Sequence, residues 1–438
     1  MKAWHENHWY WELAGRPVLL LGGSDADNLF NRPSLSDANL GTLKACGGNY
    51  IRCTLSSHGG GLEPYELIDG KYDLYRFNRQ YWERLEGFLH KAASLQVVVQ
   101  LELWSFRDLH GPAWLTHPFN PANNLNFSSR NTTLLPDWPH DSRHKPQPYF
   151  LTVPELNDDP VVLGFQQAFV DKVLEVALRF ENVLFCIDAE SWAPPAWAFF
   201  WAGYMNSVAA EKGVSISLTE SWGDADVRRE GHLNTYSRSD LFSYVDISPN
   251  NLLNELEHWD RIMWVRKALV DNDFGPRPIN NIEVFATGAS GGLDVSAASE
   301  RFWQNVFAGC ASSRLASSSQ VTLGLGLNAN AQKIIAAVRA FTNEFDIFRA
   351  APSQHLLLET PSTGAYCSAV TPDSYAVYFP DGGQTKLDLS KSPRAMNLRW
   401  FDPRESKFLT PRAIRGGRQI VLVPPDLDME WAAIIEKA

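Results

Sequence analysis

The stretch Asn182-Val-Leu-Phe-Cys-Ile-Asp-Ala-Glu190-Ser-Trp192 is an apolar run that ends in a polar segment. A short apolar run with this ending predicts a buried strand of a parallel sheet. A second run of the same kind, Arg277-Pro-Ile-Asn-Asn-Ile-Glu283-Val-Phe285, also carries a glutamate near its end. The carboxyl ends of parallel strands in a barrel surround one site, so we expect Glu190 and Glu283 to face each other there.

Further apolar runs occur along the chain, so the two runs that carry Glu190 and Glu283 belong to a longer series. They begin near residues 18, 49, 97, 183, 214, 244 and 279, with a weaker eighth near 310. Helical 3–4 spacing lies between them, over residues 81–93, 163–179, 196–212, 252–270 and 299–307. Eight strands alternating with helices predict an α/β fold, a (β/α)8 TIM barrel over residues 1–350. An open doubly wound sheet is the alternative, disfavoured because no Gly-x-Gly-x-x-Gly turn follows an early strand.

The pattern changes after a last helix at 329–345. Period-two runs separated by turn residues follow, with Asp381-Gly382-Gly383 as one turn signal. This predicts a small C-terminal antiparallel β-sandwich over residues 351–438.

One connection is unusually long. From Trp104 to about Pro160 the chain is rich in Pro, Asn, Ser and Thr and shows little periodicity. A loop of this length in a compact domain is usually functional, and here it follows the third strand. We expect it to overhang the carboxyl ends of the strands, with cleft walls from Trp114, Phe119, Trp138, His140, His144 and Tyr149. A solvated excursion is the alternative.

Composition restricts the class of partner. The net charge is −11 with no lysine or arginine run, which argues against nucleic acid and anionic membrane. No stretch has the length of a transmembrane helix, and the first residues lack an apolar signal core. The expected location is cytoplasmic, or periplasmic or secreted if a leader was removed. The 16 Trp favour a carbohydrate substrate modestly, because flat ring faces match the C–H faces of sugars.

Cysteine and histidine spacing gives no cofactor signal. The five cysteines are widely spread without Cys-x-x-Cys spacing, so we expect buried free thiols, no metal site and no cofactor.

The predicted strand ends supply a group of polar and aromatic side chains. In a barrel these ends surround the active site. Taken strand by strand, the candidates are Asp25, Asp27, Asn28, Arg52, His58, Glu102, Trp104, Asp188, Glu190, Trp192, Glu220, Trp222, Asp246, Asn250, Glu283 and Arg314. A structural ion pair is an equally good interpretation for Asp25, Asp246 or Arg314.

With these residues in place, the chain resembles the clan A glycoside hydrolases. These barrels carry a glutamate acid/base at the end of strand four and a glutamate nucleophile at the end of strand seven, and Glu190 and Glu283 have those strand ranks. Arg52 in Asn-Tyr-Ile-Arg matches an arginine that such enzymes carry near the substrate. The segment Trp400-Phe-Asp-Pro-Arg404 is similar to one in a bacterial group of these hydrolases with a C-terminal sandwich.

The resemblance implies a retaining double displacement on a plant or algal poly- or oligosaccharide. Glu283 would attack the anomeric carbon, while Glu190 would serve first as general acid and then as general base. We expect burial beside Trp192 to keep Glu190 protonated for the first step.

Two departures qualify the resemblance. The family usually has Asn directly before the acid/base, where this chain has Ala189, and the family's tyrosine near strand six is not evident. Asp188 and Glu220 are therefore reserve carboxylates. A carbohydrate-binding barrel without catalysis stays open, as does a metal-dependent hydrolase using His58, His110 and the strand-end aspartates. The oligomeric state is left open.

Overall fold

The computed structural model describes residues 1–57, 60–138, 146–252, 255–288, 291–318, 323–361 and 364–438. These residues form an α/β region followed by two antiparallel sheets. The boundary at residue 350 remains a prediction.

The α/β region is built on eight parallel strands within the described residues. Six of them form one sheet, in the spatial order β5-β4-β3-β2-β1-β8, and β6 pairs with β7 in a second sheet. The strands are β1 Leu20–Gly23, β2 Tyr50–Thr54, β3 Val98–Ser105, β4 Val183–Ser191, β5 Leu218–Trp222, β6 Val245–Asp246, β7 Ile279–Asn280 and β8 Ser312–Leu315.

Backbone hydrogen bonds link the two parallel sheets on both sides. Ala311 N–H donates to the Ile279 carbonyl at 2.8 Å between β8 and β7, and Ser243 N–H donates to the Leu218 carbonyl at 3.0 Å between β6 and β5. The strands thus follow one another in chain order around a curled parallel sheet. The predicted α/β class is confirmed, and this arrangement fits a (β/α)8 barrel.

Nine α-helices lie among the described residues. They are α1 Pro33–Ala45, α2 Arg79–Ser94, α3 Gly111–Thr116, α4 Pro160–Ala177, α5 Pro195–Glu211, α6 Glu230–Ser237, α7 Glu255–Asp271, α8 Val295–Phe307 and α9 Ala329–Thr342. The helix α4 begins with a strong local signal, because the Asp159 side chain accepts from Val162 N–H and Pro160 occupies the first turn.

The barrel interior changes from apolar to polar along its axis. At the amino end, Trp11 packs on inward side chains of several strands, including Leu20, Val98 and Leu184. The next layer towards the carboxyl ends of the strands is polar. Trp11 Nε1 donates to Asn280 Oδ1 at 2.9 Å, and Gln100 Nε2 donates to an Asp246 carboxylate oxygen at 2.9 Å. A buried polar layer of this kind is stable only when its members satisfy one another.

Close packing of β1 on β2 requires a glycine. A Cβ at Gly22 would lie 1.9 Å from the Tyr50 carbonyl oxygen, so no larger residue fits without moving a strand. Gly22 also pairs with Tyr50 in the parallel register.

The C-terminal region consists of two antiparallel sheets. The strands of the larger sheet are Ala351–Pro352, Tyr366–Val370, Ser374–Phe379, Ala395–Asp402, Lys407–Phe408, Arg412–Arg415 and Trp431–Lys437. The strands of the smaller sheet are Leu357–Glu359, Thr385–Asp388 and Gln419–Leu422. Side chains from both sheets, such as Leu387 and Val377, share one buried cluster.

The larger sheet packs against α8. Trp303 stacks on Tyr378 with ring centroids 4.9 Å apart, and Glu430 accepts hydrogen bonds from Ser299 at 2.9 Å and Tyr378 at 2.7 Å. A single buried apolar cluster therefore continues from the barrel into this sheet.

The five cysteines are free, and all but the partly buried Cys46 are buried. Within the described ranges, none of the helices combines the length and the apolar character needed to cross a membrane.

Candidate active site

The carboxyl ends of β1, β2, β3 and β8 and the segment after β7 bring five charged side chains together. Arg52 on β2 is central, since its Nη1 pairs with Glu283 and its Nε donates to Glu102 at 2.7 Å. Asp27 lies 3.7 Å from Arg52 Nη1 and accepts a hydrogen bond of 2.8 Å from Arg314. We call Asp27, Arg52, Glu102, Glu283 and Arg314 the charged cluster.

Burial and the neighbouring charges act in opposite directions on the pKa values of the charged cluster. It raises the pKa of Glu102 to about 7, although Arg52 acts in the opposite direction. Burial also acts against ionised Asp27, but Arg52 and Arg314 outweigh it and lower the pKa of that carboxyl. Likewise, burial opposes the charged form of Arg52, yet Glu102 and Asp27 raise its pKa above the usual value.

Glu283 is held in a fixed orientation. Its side chain is 7% exposed and is paired with Arg52, while its backbone N–H donates to Asn281 Oδ1 at 3.3 Å. A buried carboxylate that an arginine holds in place is suited to act as a nucleophile or to stabilise positive charge.

A cavity of about 260 Å³ opens above this group. Arg52 and Glu190 both line it, together with Asn28, Ser105, Arg107 and Asp108. We call it the strand-end cavity. The structure thus brings Glu190 to the same opening as Arg52, which is bound to Glu283.

Glu190 has an unusual backbone conformation, with φ +54°. This left-handed region is costly for a residue with a side chain and persists only where the surroundings enforce it. Here the Ser191 hydroxyl donates to Asp188, and the Ser191 carbonyl accepts from Gly223 N–H at 2.8 Å. A Cβ at Gly223 would lie 2.8 Å from the Glu190 carbonyl oxygen, so this glycine leaves room for the turn.

The expected burial of Glu190 is not found. Its side chain is 31% exposed, and its Oε2 lies 3.8 Å from Arg107 Nη2. Water therefore reaches this carboxyl in the protein without substrate, and its predicted role as a general acid stays a prediction.

The reserve carboxylates Asp188 and Glu220 form a buried pair behind the strand-end cavity. Glu220 accepts a hydrogen bond from the Thr235 hydroxyl on α6, and Asp188 accepts one from Ser191. Burial raises the pKa of both groups, and the neighbouring Asp188 charge raises that of Glu220 further.

Asp25 and Asn28 lie in the wall of the strand-end cavity and are held by hydrogen bonds to other segments of the chain. Asp25 accepts from Leu327 N–H at 2.8 Å and from Asn39 at 2.6 Å. Asn28 donates to the Ser56 carbonyl at 3.0 Å. Asp27, between them, is the member that reaches the charged cluster.

Trp192 and Trp222 form a partly exposed pair at the ends of β4 and β5. Their ring centroids are 4.9 Å apart at an interplanar angle of 55°. They provide an apolar surface beside Glu190, where a sugar face can pack.

Three other predicted residues are placed differently. Trp104 is 6% exposed and packs on Trp197 and Trp201 of α5, so most of its surface belongs to the core. Asn250 is fully buried and holds His258 and Arg261 by hydrogen bonds. His58 lies outside the described residues. Their predicted roles in substrate binding stay predictions.

The long connection after β3 packs against the end of that strand, where Tyr149 lies edge to face with Trp104 at 6.2 Å. Trp114 is buried and donates to the Leu135 carbonyl at 2.8 Å, and Phe119 and Tyr149 pack edge to face at 5.2 Å. His140 and His144 lie outside the described residues. Arg107 and Asp108 were not among the sequence candidates, although their position two and three residues after Ser105, the last residue of β3, was a signal for them.

In the segments that the structure describes, no three His, Cys, Asp or Glu side chains come together in a way that could hold a metal ion. The ring of His110 contacts the Phe106 carbonyl at 2.9 Å instead.

Comparison with known proteins gives a partial family match. A family model described as "Domain of unknown function (DUF6298)" matches residues 60–249. No curated protein matches the chain at a significant level.

Solved structures similar to this chain include several glycoside hydrolases. A family 5 glycoside hydrolase from Bacteroides vulgatus has a TM-score of 0.69 at 13% identity, covering 100% of this chain and 93% of its own. A family 5 mannosidase from Rhizomucor miehei has a TM-score of 0.53 at 13% identity, covering 79% and 98%. An endo-1,4-beta-mannanase from the same organism has a TM-score of 0.52 at 14% identity, covering 76% and 96%. The structural neighbours are thus family 5 enzymes of clan A, which confirms the predicted resemblance at the level of the fold.

Proposed function

We propose that the protein is a retaining glycoside hydrolase in which Glu283 is the nucleophile and Glu190 the acid/base. The observation that carries the proposal is that Arg52, the ion-pair partner of Glu283, lines the same cavity as Glu190. Two carboxyls at one site are what glycosidic cleavage by double displacement requires.

Each residue has a stated role in the proposed reaction. Glu283 attacks the anomeric carbon while Glu190 donates a proton to the departing glycosidic oxygen, forming a glycosyl-enzyme. Glu190 then takes a proton from water, which attacks the same carbon and releases the sugar with retained configuration. Arg52 keeps Glu283 ionised and oriented before the attack, since charged partners favour the carboxylate form.

The substrate itself completes the acid site. Glu190 is partly exposed in the protein without ligand, and a sugar in the strand-end cavity would cover it. Covering the carboxyl excludes bulk water from the place where the proton is transferred to the departing oxygen.

We propose a plant or algal poly- or oligosaccharide as the substrate. The aromatic pair Trp192 and Trp222 beside Glu190 supports a carbohydrate, because ring faces bind the C–H faces of sugars. Two structural neighbours carry mannosidase or mannanase in their names, so mannose-containing glycans belong in the first screen.

The proposal is tested with a polysaccharide and aryl-glycoside panel on the parent protein and on Glu283→Gln and Glu190→Gln. We expect about 10³-fold or greater loss of kcat/KM for Glu283→Gln and roughly 10²–10⁴-fold loss for Glu190→Gln. Glu175→Gln, on the exposed face of α4, is the matched control and should keep full activity. NMR of the first-formed product should show the retained anomer.

Two results would overturn the proposed function. Full activity of Glu283→Gln would show that Glu283 is not the nucleophile, and an inverted first product would exclude the double displacement. Glycan binding without any turnover would support the alternative of a carbohydrate-binding barrel.

For the C-terminal region we propose a β-sandwich that stabilises the barrel. The contacts of Trp303, Ser299 and Glu430 across α8 and the larger sheet support this role.

A further inference from the structure

Glu102 on β3 is a buried carboxyl that contacts the site through another residue. Its side chain has no exposed surface, and the described residues that line the strand-end cavity include Arg52 but not Glu102. Glu102 Oε2 accepts a hydrogen bond of 2.7 Å from Arg52 Nε. Any influence of Glu102 on a substrate therefore passes through Arg52.

Arg52 binds two carboxyls with two parts of one rigid group. Its Nε donates to Glu102, while its Nη1 pairs with Glu283. The guanidinium is planar and its N–H bonds point in fixed directions, so a rotation that disturbs one of these contacts also disturbs the other. Glu102 thereby fixes the direction in which Arg52 presents Nη1 to Glu283.

Asp27 does not replace Glu102 in this role. Asp27 lies 3.7 Å from Arg52 Nη1, which is longer than a hydrogen bond, and it accepts from Arg314 at 2.8 Å instead. Over the ranges that the structure describes, the carboxyls within hydrogen-bond distance of Arg52 are those of Glu102 and Glu283. At short range these two carboxyls share the charge of one guanidinium.

The charge on Glu102 changes near neutral pH. Its Oε1 is buried and has no hydrogen-bond partner among the described residues. Burial raises the pKa of Glu102 to about 7 although Arg52 acts in the opposite direction, and the like charges of Asp246 and Asp27 add to the rise. Below about pH 7 Glu102 is neutral, so the Arg52 charge is then shared with fewer anions.

Other titratable or charged groups interact with Glu102 from the neighbouring strands. Burial raises the pKa values of the two thiols and the phenol among them, so these three stay neutral around pH 7. The groups are Cys53 on β2, Cys186 on β4, Tyr244 just before β6 and Arg314 on β8.

An ionised Glu102 favours the first step of the proposed reaction for two reasons. It takes part of the Arg52 charge from Glu283, which leaves that carboxylate freer to attack the anomeric carbon. It also adds a negative charge behind a transition state of oxocarbenium character, in a buried setting where charges are weakly screened.

We propose that Glu102 is a positioning residue, which fixes the Arg52 guanidinium and shares its charge with Glu283. The kinetic consequence of this inference rests on the proposed function of the strand-end cavity.

The test uses two substitutions at Glu102. Glu102→Gln keeps an acceptor for Arg52 Nε and removes the charge, while Glu102→Ala removes both. Glu430→Gln is the matched control, because Glu430 is a carboxyl of the C-terminal region whose pKa burial also raises. Circular dichroism and thermal melting check the fold, and Glu102→Gln decides alone if Glu102→Ala does not fold.

The readout is kcat/KM from about pH 5 to about pH 9 on a dinitrophenyl glycoside, whose leaving group needs no proton from Glu190. Glu102→Gln should match the parent near pH 5, where Glu102 is protonated, and be about threefold to tenfold less active near pH 9. Glu102→Ala should be at least about tenfold less active throughout, because Arg52 loses its anchor. Glu430→Gln should follow the parent.

A purely structural role would lower activity by one factor at every pH. The inference is overturned if the ratio of Glu102→Gln to parent activity does not fall as the pH rises. It is equally overturned if a folded Glu102→Ala protein is as active as the parent.

An arginine NMR signal separates this inference from the proposed function. If the parent hydrolyses no glycoside, the proposed function fails, and the contact with Arg52 is tested in protein with isotope-labelled arginine. The Arg52 Nε resonance, assigned by its loss in Arg52→Lys, should move with a midpoint near pH 7 in the parent and stay fixed in Glu102→Gln. A resonance that does not move in the parent, or that moves equally in both proteins, overturns the inference.

Discussion

At the residue scale, Glu190 combines a chemical role with a strained backbone. Its φ of +54° is the left-handed region, where glycine carries no penalty. The hydrogen bonds of Ser191 to Asp188 and Gly223 hold the turn in this conformation. Strain of this kind is concentrated at functional sites, which agrees with the proposed acid/base role.

The strain can be measured with a pair of substitutions. We expect Glu190→Gly to have a free energy of unfolding about 1 kcal/mol higher than Glu190→Ala, because only the glycine adopts positive φ without cost. Urea unfolding followed by circular dichroism gives both values. At Glu175, inside the helix α4, the order should be reversed by a similar amount, since glycine is unfavourable in helices. Equal stabilities at position 190 would contradict the strain.

The buried pair Asp188 and Glu220 makes stability depend on pH. Burial raises the folded-state pKa of both, so their contribution is fully present below the unfolded pKa near 4 and is lost as the pH rises through the folded pKa. We expect the free energy of unfolding to decrease between about pH 4 and pH 8. In Glu220→Gln that decrease should be smaller, by on the order of 1–3 kcal/mol.

Urea titrations of Glu220→Gln and parent at several pH values measure this difference. The exposed substitution Glu175→Gln is the control and should follow the parent curve. If the free energy of unfolding changes with pH in the same way in Glu220→Gln and in the parent, the pKa of Glu220 is not raised in the folded protein.

At the scale of elements, the contact between β1 and β2 depends on a residue without a side chain. A Cβ at Gly22 would lie 1.9 Å from the Tyr50 carbonyl oxygen, which is backbone and cannot move aside alone. We expect Gly22→Ala to lower the free energy of unfolding by about 3 kcal/mol or more, in the range of severe core overpacking. Gly41→Ala is the matched control, since nothing lies within 4 Å of a Cβ at that position in α1.

The two substitutions should have opposite signs. Gly41→Ala should raise stability by roughly 0.5–1 kcal/mol, because alanine is the better helix former. Chemical unfolding of both variants is the measurement, and a Gly22→Ala protein as stable as the parent would exclude the proposed close approach.

Element prediction from the sequence succeeded where the periodicity was long. The expected helix over 163–179 is α4 at Pro160–Ala177, and the expected strand over 97–104 is β3 at Val98–Ser105. The helices α1, α3 and α6 were not predicted. Their apolar faces are small and their sequences carry many Ser, Asn, Gly and Thr, so tertiary contacts rather than local pattern stabilise them.

At the scale of the whole molecule, the barrel and the C-terminal sheets share one core. Trp303 of α8 is fully buried between Tyr378 of the larger sheet and Phe341 of α9. Because the buried cluster runs through both regions, we expect one cooperative unfolding transition rather than two.

Trp303→Ala tests this shared core. Removing a fully buried indole should cost about 3–5 kcal/mol, and both regions should lose stability together. Calorimetry and tryptophan fluorescence should give coincident transitions for parent and variant. Tyr75→Ala, at a residue that is 78% exposed, is the control and should change stability by less than about 0.5 kcal/mol. A separate early transition of the C-terminal region would contradict the prediction.

The sequence by itself determined the alternation of strands and helices and the strand ranks of Glu190 and Glu283. These follow from local periodicity, which a single chain displays directly. It also identified Arg52 as a strand-end residue, but not its partners, because Glu283 and Glu102 are far from it in the chain.

Only the tertiary structure decided which strand-end residues meet. Residues two apart in one loop meet different segments of the fold, so Asp27 joins the charged cluster while Asp25 accepts a hydrogen bond from Leu327 N–H. The partial exposure of Glu190 and its left-handed backbone likewise depend on segments distant in sequence. Their packing is a property of the assembled fold, and local pattern carries no information about it.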